Sequence, residues 1–246
     1  MPEVPDRELT QDSLFDGRLI CRQHRLGYRF SVDAVLLAHF FVPLPNESIL
    51  DLGTGCGVMP LILAYRWPGL FLTGLEIQPD LAALARRNAE ANGYAERIDI
   101  RDGDMRKIKE IFRAGSFQRV ICNPPYRKIE NGRQNLDAEQ ATARHEISAD
   151  LESVVRALSW LLPIGGKIDL VFPAIRSVDL LESLRRGGIE PKRMQMVHSY
   201  PGGIGRMVLV EGIKGGGVEL EILPPFFVYR GKGMGYSEEM ARCYSP

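Results

Sequence analysis

The chain has 246 residues, of which 45% are hydrophobic and 25% are charged, and Lys plus Arg equals Asp plus Glu at 31 each. This balance is typical of a soluble globular protein with one large α/β domain, and it excludes disordered and collagen-like chains and an overall nucleic-acid charge signature. No run approaches the ~18 apolar residues that a membrane helix needs, so we expect no membrane partner.

The first 47 residues are predicted to form an appendage to a larger domain. Residues 13–30 predict a hairpin, which leads into a helix over residues 33–41. From Ser48 onward, short apolar runs alternate with longer amphipathic stretches. This pattern predicts strands over 48–52, 70–76, 97–100 and 119–122, with helices over 59–67, 80–92 and 105–112.

The second half continues the alternation and then breaks it. The pattern predicts a helix over 150–162, a strand over 167–172 and a helix over 176–186. The apolar runs 194–197 and 207–211 are separated only by a glycine-rich turn, so we expect them to pair antiparallel.

This order predicts an α/β fold of the doubly wound, Rossmann-like kind, with a mostly parallel sheet that ends in an antiparallel strand. The domain is expected over residues 48–213, after the appendage of residues 1–47. The tail, residues 214–246, is expected to pack on the domain or extend it. Its apolar run 220–229 would cover a sheet face or meet a second subunit, and no pattern indicates an oligomeric state.

The N-terminus and the cysteines indicate a cytoplasmic protein. The first 13 residues are polar and acidic and lack the layout of a signal peptide. The four cysteines lie far apart without a CxxC pair, so we expect reduced thiols and no metal site.

A glycine loop comes after the strand that begins at Ser48. Asp51 ends that strand, and Gly53, Gly55 and Gly57 come before the next helix. Such a loop lets the backbone approach a ligand closely at the edge where α/β sheets bind nucleotides. The loop does not match the dinucleotide pattern G-x-G-x-x-G, because Val58 occupies the position of the last glycine. The carboxylate of Asp51 suits an ammonium group better than a pyrophosphate. Both features disfavour NAD as the ligand.

Two further acids follow the next two strands. Glu76 ends the second strand, where a carboxylate can accept both hydroxyls of a ribose. Asp104 could accept from an adenine amino group; Asp102 is its rival, and a loop acid or helix cap is the plain alternative. An ammonium, a ribose and an adenine together describe S-adenosylmethionine.

The tetrapeptide of Asn123, Pro124, Pro125 and Tyr126 follows the fourth strand. The prolines remove two backbone donors, so this segment offers carbonyl oxygens beside the Asn123 side chain and a flat aromatic ring. Such a cradle suits a planar NH2 group, whose weakly nucleophilic nitrogen it would polarise and position for methyl transfer. Stacking on Tyr126 would suit a base turned out of its helix.

On these motifs, residues 51–126 resemble the class I S-adenosylmethionine-dependent methyltransferases that modify amino groups of adenine or glutamine. The whole chain resembles most the bacterial tRNA1(Val) (adenine-37-N6)-methyltransferase family. The additional segments that carry this closer resemblance are residues 30–37, 143–146, 212–215 and 236–239.

The resemblance implies a seven-stranded sheet with the last strand antiparallel. It implies that S-adenosylmethionine is held at its methionine end by Asp51 and the loop glycines, at its ribose by Glu76 and at its adenine by Asp104. It implies that Asn123, Pro124 and Tyr126 hold the target base of an RNA, a tRNA by the closer resemblance. Asp33 would lie near the cofactor or cap a helix. His145 would lie in the loop after the acceptor motif and contact RNA, or be a salt-bridged or capping histidine.

Other functions stay open. An amide NH2 fits the same cradle, so glutamine methylation of a release factor is the nearest alternative, although that family carries a longer helical domain in front. Methylation of ribosomal RNA or DNA and a non-catalytic RNA-binding module are further alternatives. The basic residues that could form an RNA surface are Arg18, Arg22, Arg25, Arg29, Arg127, Lys128, Arg133, Arg144, Arg185, Arg186, Lys192, Arg193 and Arg206.

Overall fold

An antiparallel hairpin opens the computed structural model, which describes residues 9–25, 30–45, 47–124 and 151–245. Its strands are β1 (Leu9–Leu14) and β2 (Leu19–His24), so the hairpin lies a few residues earlier than predicted. The turn between them contains Phe15, whose buried ring stacks on Tyr65 with 4.5 Å between the ring centroids. This contact docks the hairpin on the following domain.

The remaining elements alternate as the sequence predicts. The helices are α1 (Val32–Phe40), α2 (Val58–Arg66), α3 (Pro79–Ala91), α4 (Ile108–Ile111), α5 (helical over residues 151–161), α6 (Ser177–Arg186) and α7 (Glu238–Arg242). The further strands are β3 (Ser48–Leu52), β4 (Phe71–Glu76), β5 (Ile98–Asp102), β6 (Arg119–Cys122), β7 (Lys167–Pro173), β8 (Ile189–His198), β9 (Gly205–Lys214), β10 (Glu221–Ile222) and β11 (Phe226–Phe227).

The main strands form one sheet in the spatial order β8-β9-β7-β6-β3-β4-β5. Strands β3 to β7 pair in parallel, and β9 is antiparallel to both β7 and β8. These seven strands confirm the predicted doubly wound fold with an antiparallel last strand. The chain reverses its direction of travel across the sheet between β3 and β6, and the carboxyl ends of strands at such a point form a ligand crevice.

The C-terminal tail extends the sheet by two short strands. Both β10 and β11 pair in parallel with β8, which brings the sheet to nine strands among the described residues. The tail then ends in α7, whose first turn is capped by the Ser237 hydroxyl. Whether the appendage, the domain and the tail are separate units stays a prediction.

Both faces of the sheet are covered. The hairpin, α1, α2, α3 and the tail contribute to the core on one face, and α4, α5 and α6 contribute to the core on the other. In the described part of the chain no helix is long and apolar enough to cross a bilayer. The four cysteines are buried and unpaired.

Two predicted elements differ from the observed ones. The helix expected over 105–112 is a 3-10 turn, Met105–Lys107, followed by the single turn of α4. Strand β8 begins five residues before the predicted start and tolerates Pro191 because the ladder has an irregularity between Pro191 and Arg193.

A buried ion cluster surrounds Arg119, the first residue of β6. Its side chain is fully buried and donates to Asp169 over 2.6 Å and to Glu47 over 3.1 Å. Its guanidinium carbon also lies 4.9 Å from the centroid of the Phe41 ring. Burial raises the pKa of Asp169 to about 6, against the opposing effect of Arg119. Glu211 also contacts Arg119 and is shared with Lys167 and Arg193, whereas Glu47 and Asp169 form their ion pairs with Arg119 alone among the described residues.

Candidate functional site

The glycine loop turns the chain from β3 into α2 at the carboxyl edge of the sheet. Gly53, Gly55 and Gly57 have φ angles of +84°, +58° and +84°, which other residues rarely adopt. The backbone N–H groups of Gly53 and Thr54 both donate to the carbonyl oxygen of Leu75 on the neighbouring strand β4. The loop is therefore fixed to the sheet as well as to the helix that follows it.

Gly57 is the most constrained of the three glycines. It is the N-cap of α2, and a Cβ atom there would lie 3.0 Å from the Cβ of Ala85 on α3. At Gly53 and Gly55 a Cβ would meet nothing within 4 Å. The third glycine thus allows α2 and α3 to approach each other, while the first two leave space above the loop.

Asp51 lies beneath this loop with an unusual environment. Its side chain is fully buried, and neither carboxylate oxygen has a hydrogen-bond partner among the residues that the structure describes. Burial raises the pKa of Asp51 to about 7, against the opposing effect of the neighbouring Thr54 side chain. An unpartnered buried carboxyl group is costly unless a ligand completes it, so Asp51 fits a cationic group such as the ammonium of an amino acid.

Glu76 connects the second strand end to the loop. Its carboxylate is buried, and Oε2 accepts from the N–H of Gly55 over 2.8 Å while Oε1 accepts from the N–H of Gln78 over 2.9 Å. Each carboxylate oxygen can accept more than one hydrogen bond, so the group can still receive a pair of hydroxyls. This arrangement fits the ribose role predicted for Glu76.

The two candidate adenine acceptors, one at the end of β5 and one two residues after it, both have partners within the chain. Asp104 accepts from the N–H of Arg106 over 2.9 Å, which caps the 3-10 turn, and bonds with the Arg106 side chain lower its pKa. Asp102 pairs with Arg86. The cap that the sequence allowed for Asp104 is therefore present, and its contact with an adenine stays a prediction.

Asn123 lies just after β6, on the strand next to β3. Its Oδ1 atom is buried and has no hydrogen-bond partner within the described ranges, and Pro124 beside it is also buried. Pro125 and Tyr126 of the same tetrapeptide lie outside the described residues, as does His145. The acceptor that the sequence predicts at Asn123 is thus placed at the switch point with its oxygen unsatisfied.

Some of these groups line one cavity of about 220 Å³, whereas Asp51, Gly57, Asp102 and Asp104 are not among its lining residues. The loop residues Gly53 to Cys56, Glu76 and Asn123 all line it. Sequence reasoning missed its apolar walls, which are formed in part by Phe30, Ala34, Met59, Ile77, Leu81 and Met105. The signal in the sequence was an apolar residue directly after Glu76; this residue, Ile77, is 51% exposed in the structure and suits a flat ligand.

A larger groove of about 610 Å³ lies near the first residues of β3, β4 and β5, at the other edge of the sheet. The two arginines that line this groove are hydrogen-bonded to the protein backbone: Arg86 donates to the carbonyl of Ile100, and Arg97 donates to the carbonyl of Ala64. Among its lining residues, all of which are described, every buried side-chain polar atom has a hydrogen-bond partner. The smaller cavity is therefore the better candidate.

Several of the basic residues considered for RNA binding make ion pairs or ring contacts within the protein. Arg185 and Arg186 pair with Glu190 and Glu182, and Arg193 lies over the ring of Phe40. Arg18, Arg22, Arg25 and Arg206 are exposed. The candidates outside the described residues are Arg29, Arg127, Lys128, Arg133 and Arg144. Elsewhere in the chain, as far as it is described, no group of His, Cys, Asp and Glu side chains could hold a metal ion.

A family model and several curated proteins match the sequence of this chain. Residues 31–147, just under half of the chain, match the family model of the methyltransferase small domain. The chain is 34% identical over 160 residues to the tRNA1(Val) (adenine(37)-N6)-methyltransferase of Shewanella halifaxensis, covering 65% of this chain and 63% of that protein. It is 31% identical over 163 residues to the protein of the same name in Vibrio cholerae, covering 66% of each. The chain thus spans a little under two thirds of the length of these curated relatives.

Solved structures share the fold. A predicted O-methyltransferase from Agrobacterium tumefaciens matches with a TM-score of 0.68 and 22% identity, covering 86% of this chain and 95% of that one. TrmN from Thermus thermophilus matches with a TM-score of 0.57 and 22% identity, covering 74% of this chain and 48% of that one. Together with the sequence relatives, they confirm the predicted resemblance to the class I methyltransferases.

Proposed function

We propose that this chain is an S-adenosylmethionine-dependent methyltransferase that methylates the N6 amino group of an adenine in RNA, and that it acts on tRNA in the cytoplasm. One observation carries the proposal: a strand-end glutamate and an unsatisfied asparagine oxygen line one cavity together with the glycine loop, and the unpartnered buried carboxyl group of Asp51 lies two residues before that loop. Each of these groups matches a different part of the reactants.

Three described residues would hold the cofactor. Asp51 would bind the ammonium group of the methionine end, which would give its buried carboxyl group the partner that it lacks among the described residues. Glu76 would accept the ribose hydroxyls, and Asp104 would accept from the adenine amino group beside Met105. Gly53, Gly55 and Gly57 would let the backbone approach the amino-acid end. When bound, S-adenosylmethionine supplies an electrophilic methyl group on its sulfonium.

The segment after β6 would bind the target adenine that receives the methyl group. Asn123 would accept one N–H of the adenine amino group through Oδ1, and the carbonyl of Pro124 would accept the other. These bonds would localise the nitrogen lone pair and direct it into the cavity, so positioning supplies much of the barrier reduction. Tyr126 would stack on the base, a contact worth roughly 1–3 kcal/mol for an unstacked nucleotide.

The relatives support a specific substrate. Those from Shewanella halifaxensis, Vibrio cholerae and Porphyromonas gingivalis bear the name tRNA1(Val) (adenine(37)-N6)-methyltransferase. We therefore extend the proposal to adenine 37 of a valine tRNA. The same relatives favour an RNA base over the glutamine of a release factor as the group that receives the methyl.

The test is methyl transfer from labelled S-adenosylmethionine to purified acceptors. Total tRNA from a strain that lacks the protein, ribosomal RNA and release factors are offered in separate reactions. We expect label in tRNA alone, with loss of transfer but retention of cofactor binding in Asn123→Ala. The surface variant Glu90→Gln, an exposed position on α3, serves as a control. Label in the release factor, or cofactor binding without label in any RNA, would contradict the proposal.

A further inference from the structure

Two asparagines, Asn88 on α3 and Asn92 at the C-cap of that helix, bind the edge of strand β2 that does not pair with β1. Asn92 accepts from the N–H of Ile20 over 2.9 Å and donates to the carbonyl of the same residue over 2.7 Å. Asn88 does the same with Arg22, accepting and donating over 2.9 Å each. Each side chain thus satisfies both polar groups of one backbone residue.

The spacing of Asn88 and Asn92 along the helix axis matches the spacing of alternate residues along β2. A side-chain amide offers the same donor and acceptor as a peptide group, so it can replace a neighbouring strand. Residues four apart on a helix are separated by about 6 Å along its axis, and residues two apart on a strand by about 6.8 Å. Two asparagines one turn apart therefore match alternate residues of β2 and fix its register on α3.

Asn88 makes further contacts that Asn92 lacks, the first of them a weak one with Sγ of Cys21 on β2 over 3.8 Å. Its fully buried amide also donates to the carbonyl of Cys56, in the glycine loop, over 2.9 Å. Asn92 instead donates to the backbone carbonyl of Asn88. Cys56 lines the candidate cavity. Asn88 therefore connects the hairpin to the loop on which the cofactor is proposed to rest, beside a contact of 3.7 Å between Sγ of Cys21 and Sγ of Cys56.

The hairpin in turn supports a second wall of the cavity. Gln23, the next residue of β2, is buried and accepts from the N–H of Phe30 over 2.7 Å. Its amide nitrogen donates to Asp12 on β1. Phe30 lines the cavity. A continuous set of hydrogen bonds thus runs from Cys56 through Asn88 and the β2 backbone to Gln23 and Phe30.

We propose that Asn88 is a positioning residue that sets the spacing between the glycine loop and the N-terminal hairpin, and thereby preforms the cofactor cavity. This inference rests on the proposed function. Asn88 is assigned no contact with cofactor or substrate, so its effect falls on cofactor affinity and leaves the chemical step unchanged.

The test compares Asn88→Ala with Asn92→Ala, since each removes two bonds to the hairpin backbone but only the first also removes a bond to the loop. In Asn88→Ala we expect the KM for S-adenosylmethionine and the Kd for S-adenosylhomocysteine, measured by calorimetry, to rise about tenfold. The kcat at saturating cofactor should stay within about twofold, because a group outside the reacting centre contributes uniform binding. Asn92→Ala should change neither binding constant by more than about twofold.

Hydrogen exchange of the ligand-free protein gives a readout that does not depend on activity. Amides of residues 53–57 should exchange faster in Asn88→Ala but not in Asn92→Ala, while amides of β2 should exchange faster in both. Equal changes in the loop for both variants, or an unchanged Kd in Asn88→Ala, would overturn the inference.

A second variant covers the case in which Asn88→Ala does not fold. Gln23→Met keeps the side-chain volume but removes the acceptor for Phe30, so the Kd for S-adenosylhomocysteine should rise several-fold with kcat retained. An unchanged Kd in Gln23→Met would then refute the connection between hairpin and cavity. A wild-type protein that binds no S-adenosylhomocysteine would instead refute the proposed function.

Discussion

The N–H of Gly55 donates to Oε2 of Glu76 across 2.8 Å. The acid that ends the second strand of the domain therefore holds the glycine loop in place before any ligand is bound. The second carboxylate oxygen accepts from Gln78, at the start of α3, so the same side chain joins the loop, the strand and the helix. Glu76 is thus expected to shape the cavity as well as contact its ligand.

Replacing Glu76 tests both roles. In Glu76→Gln the new amide group must face one of two backbone N–H donors, so one hydrogen bond to the charged group becomes a repulsive contact. We expect the Kd for S-adenosylhomocysteine to rise about ten- to hundredfold by calorimetry. Glu90→Gln on the exposed side of α3 should bind as the wild type does. Wild-type affinity in Glu76→Gln would rule out a role for this carboxylate.

Cofactor binding should depend on pH through Asp51. Burial raises its pKa to about 7, so the carboxyl group is largely ionised at pH 8 and largely protonated at pH 6. Only the ionised form attracts an ammonium group, so the affinity present above the pKa is lost as the pH falls. The Kd for S-adenosylmethionine should rise about tenfold from pH 8 to pH 6.

The Asp51→Asn variant is the control for this titration. It should bind weakly at every pH, and the change between pH 8 and pH 6 should disappear. An unaltered pH dependence in Asp51→Asn would assign the titration to another group and contradict the ammonium role.

Gly57 should tolerate substitution less well than other glycines of positive φ. Alanine there meets the backbone penalty of about 1–2 kcal/mol and also a Cβ contact of 3.0 Å with Ala85. Gly93, at φ +73°, has nothing within 4 Å of such a Cβ and carries the backbone penalty alone. The free energy of unfolding in urea should fall by about 1 kcal/mol more in Gly57→Ala than in Gly93→Ala. Equal losses would show that the approach of α2 to α3 is not tight.

The buried cluster at Arg119 should dominate the electrostatic contribution to stability. Arg119→Leu leaves Glu47 and Asp169 buried without their cation, and we expect a loss of about 3–5 kcal/mol in the free energy of unfolding. Arg186→Leu removes an exposed ion pair with Glu182 and should cost at most about 1 kcal/mol. Similar losses in the two variants, measured by urea denaturation, would contradict this assignment.

Much of the fold could be predicted because local patterns control it. Short apolar runs and amphipathic stretches indicated the seven main strands and their alternation with helices, and the short turn at residues 201–205 indicated the antiparallel last strand. The two strands of the tail could not be predicted, since two-residue strands such as Glu221–Ile222 have no periodicity of their own and form only against β8.

The parts of the site that depend on packing between distant segments could not be predicted from the sequence. The loop, Glu76 and Asn123 follow strand ends, so their convergence could be inferred from a parallel sheet. Asn88 could not be recognised, because its partners, Arg22 and Cys56, are distant in the chain and meet it only through packing of the hairpin. The adenine contact of Asp104 stays a prediction beside its observed role as a cap.

The N6-methyladenosine content of tRNA in cells is the decisive readout for the proposed activity. Nucleoside mass spectrometry would compare a strain lacking the gene with the same strain carrying the wild-type protein or Asn123→Ala. We expect N6-methyladenosine at adenine 37 of a valine tRNA to be absent from the deletion strain, restored by the wild type and not restored by Asn123→Ala. Equal amounts of N6-methyladenosine in tRNA from all three strains would contradict the proposed function.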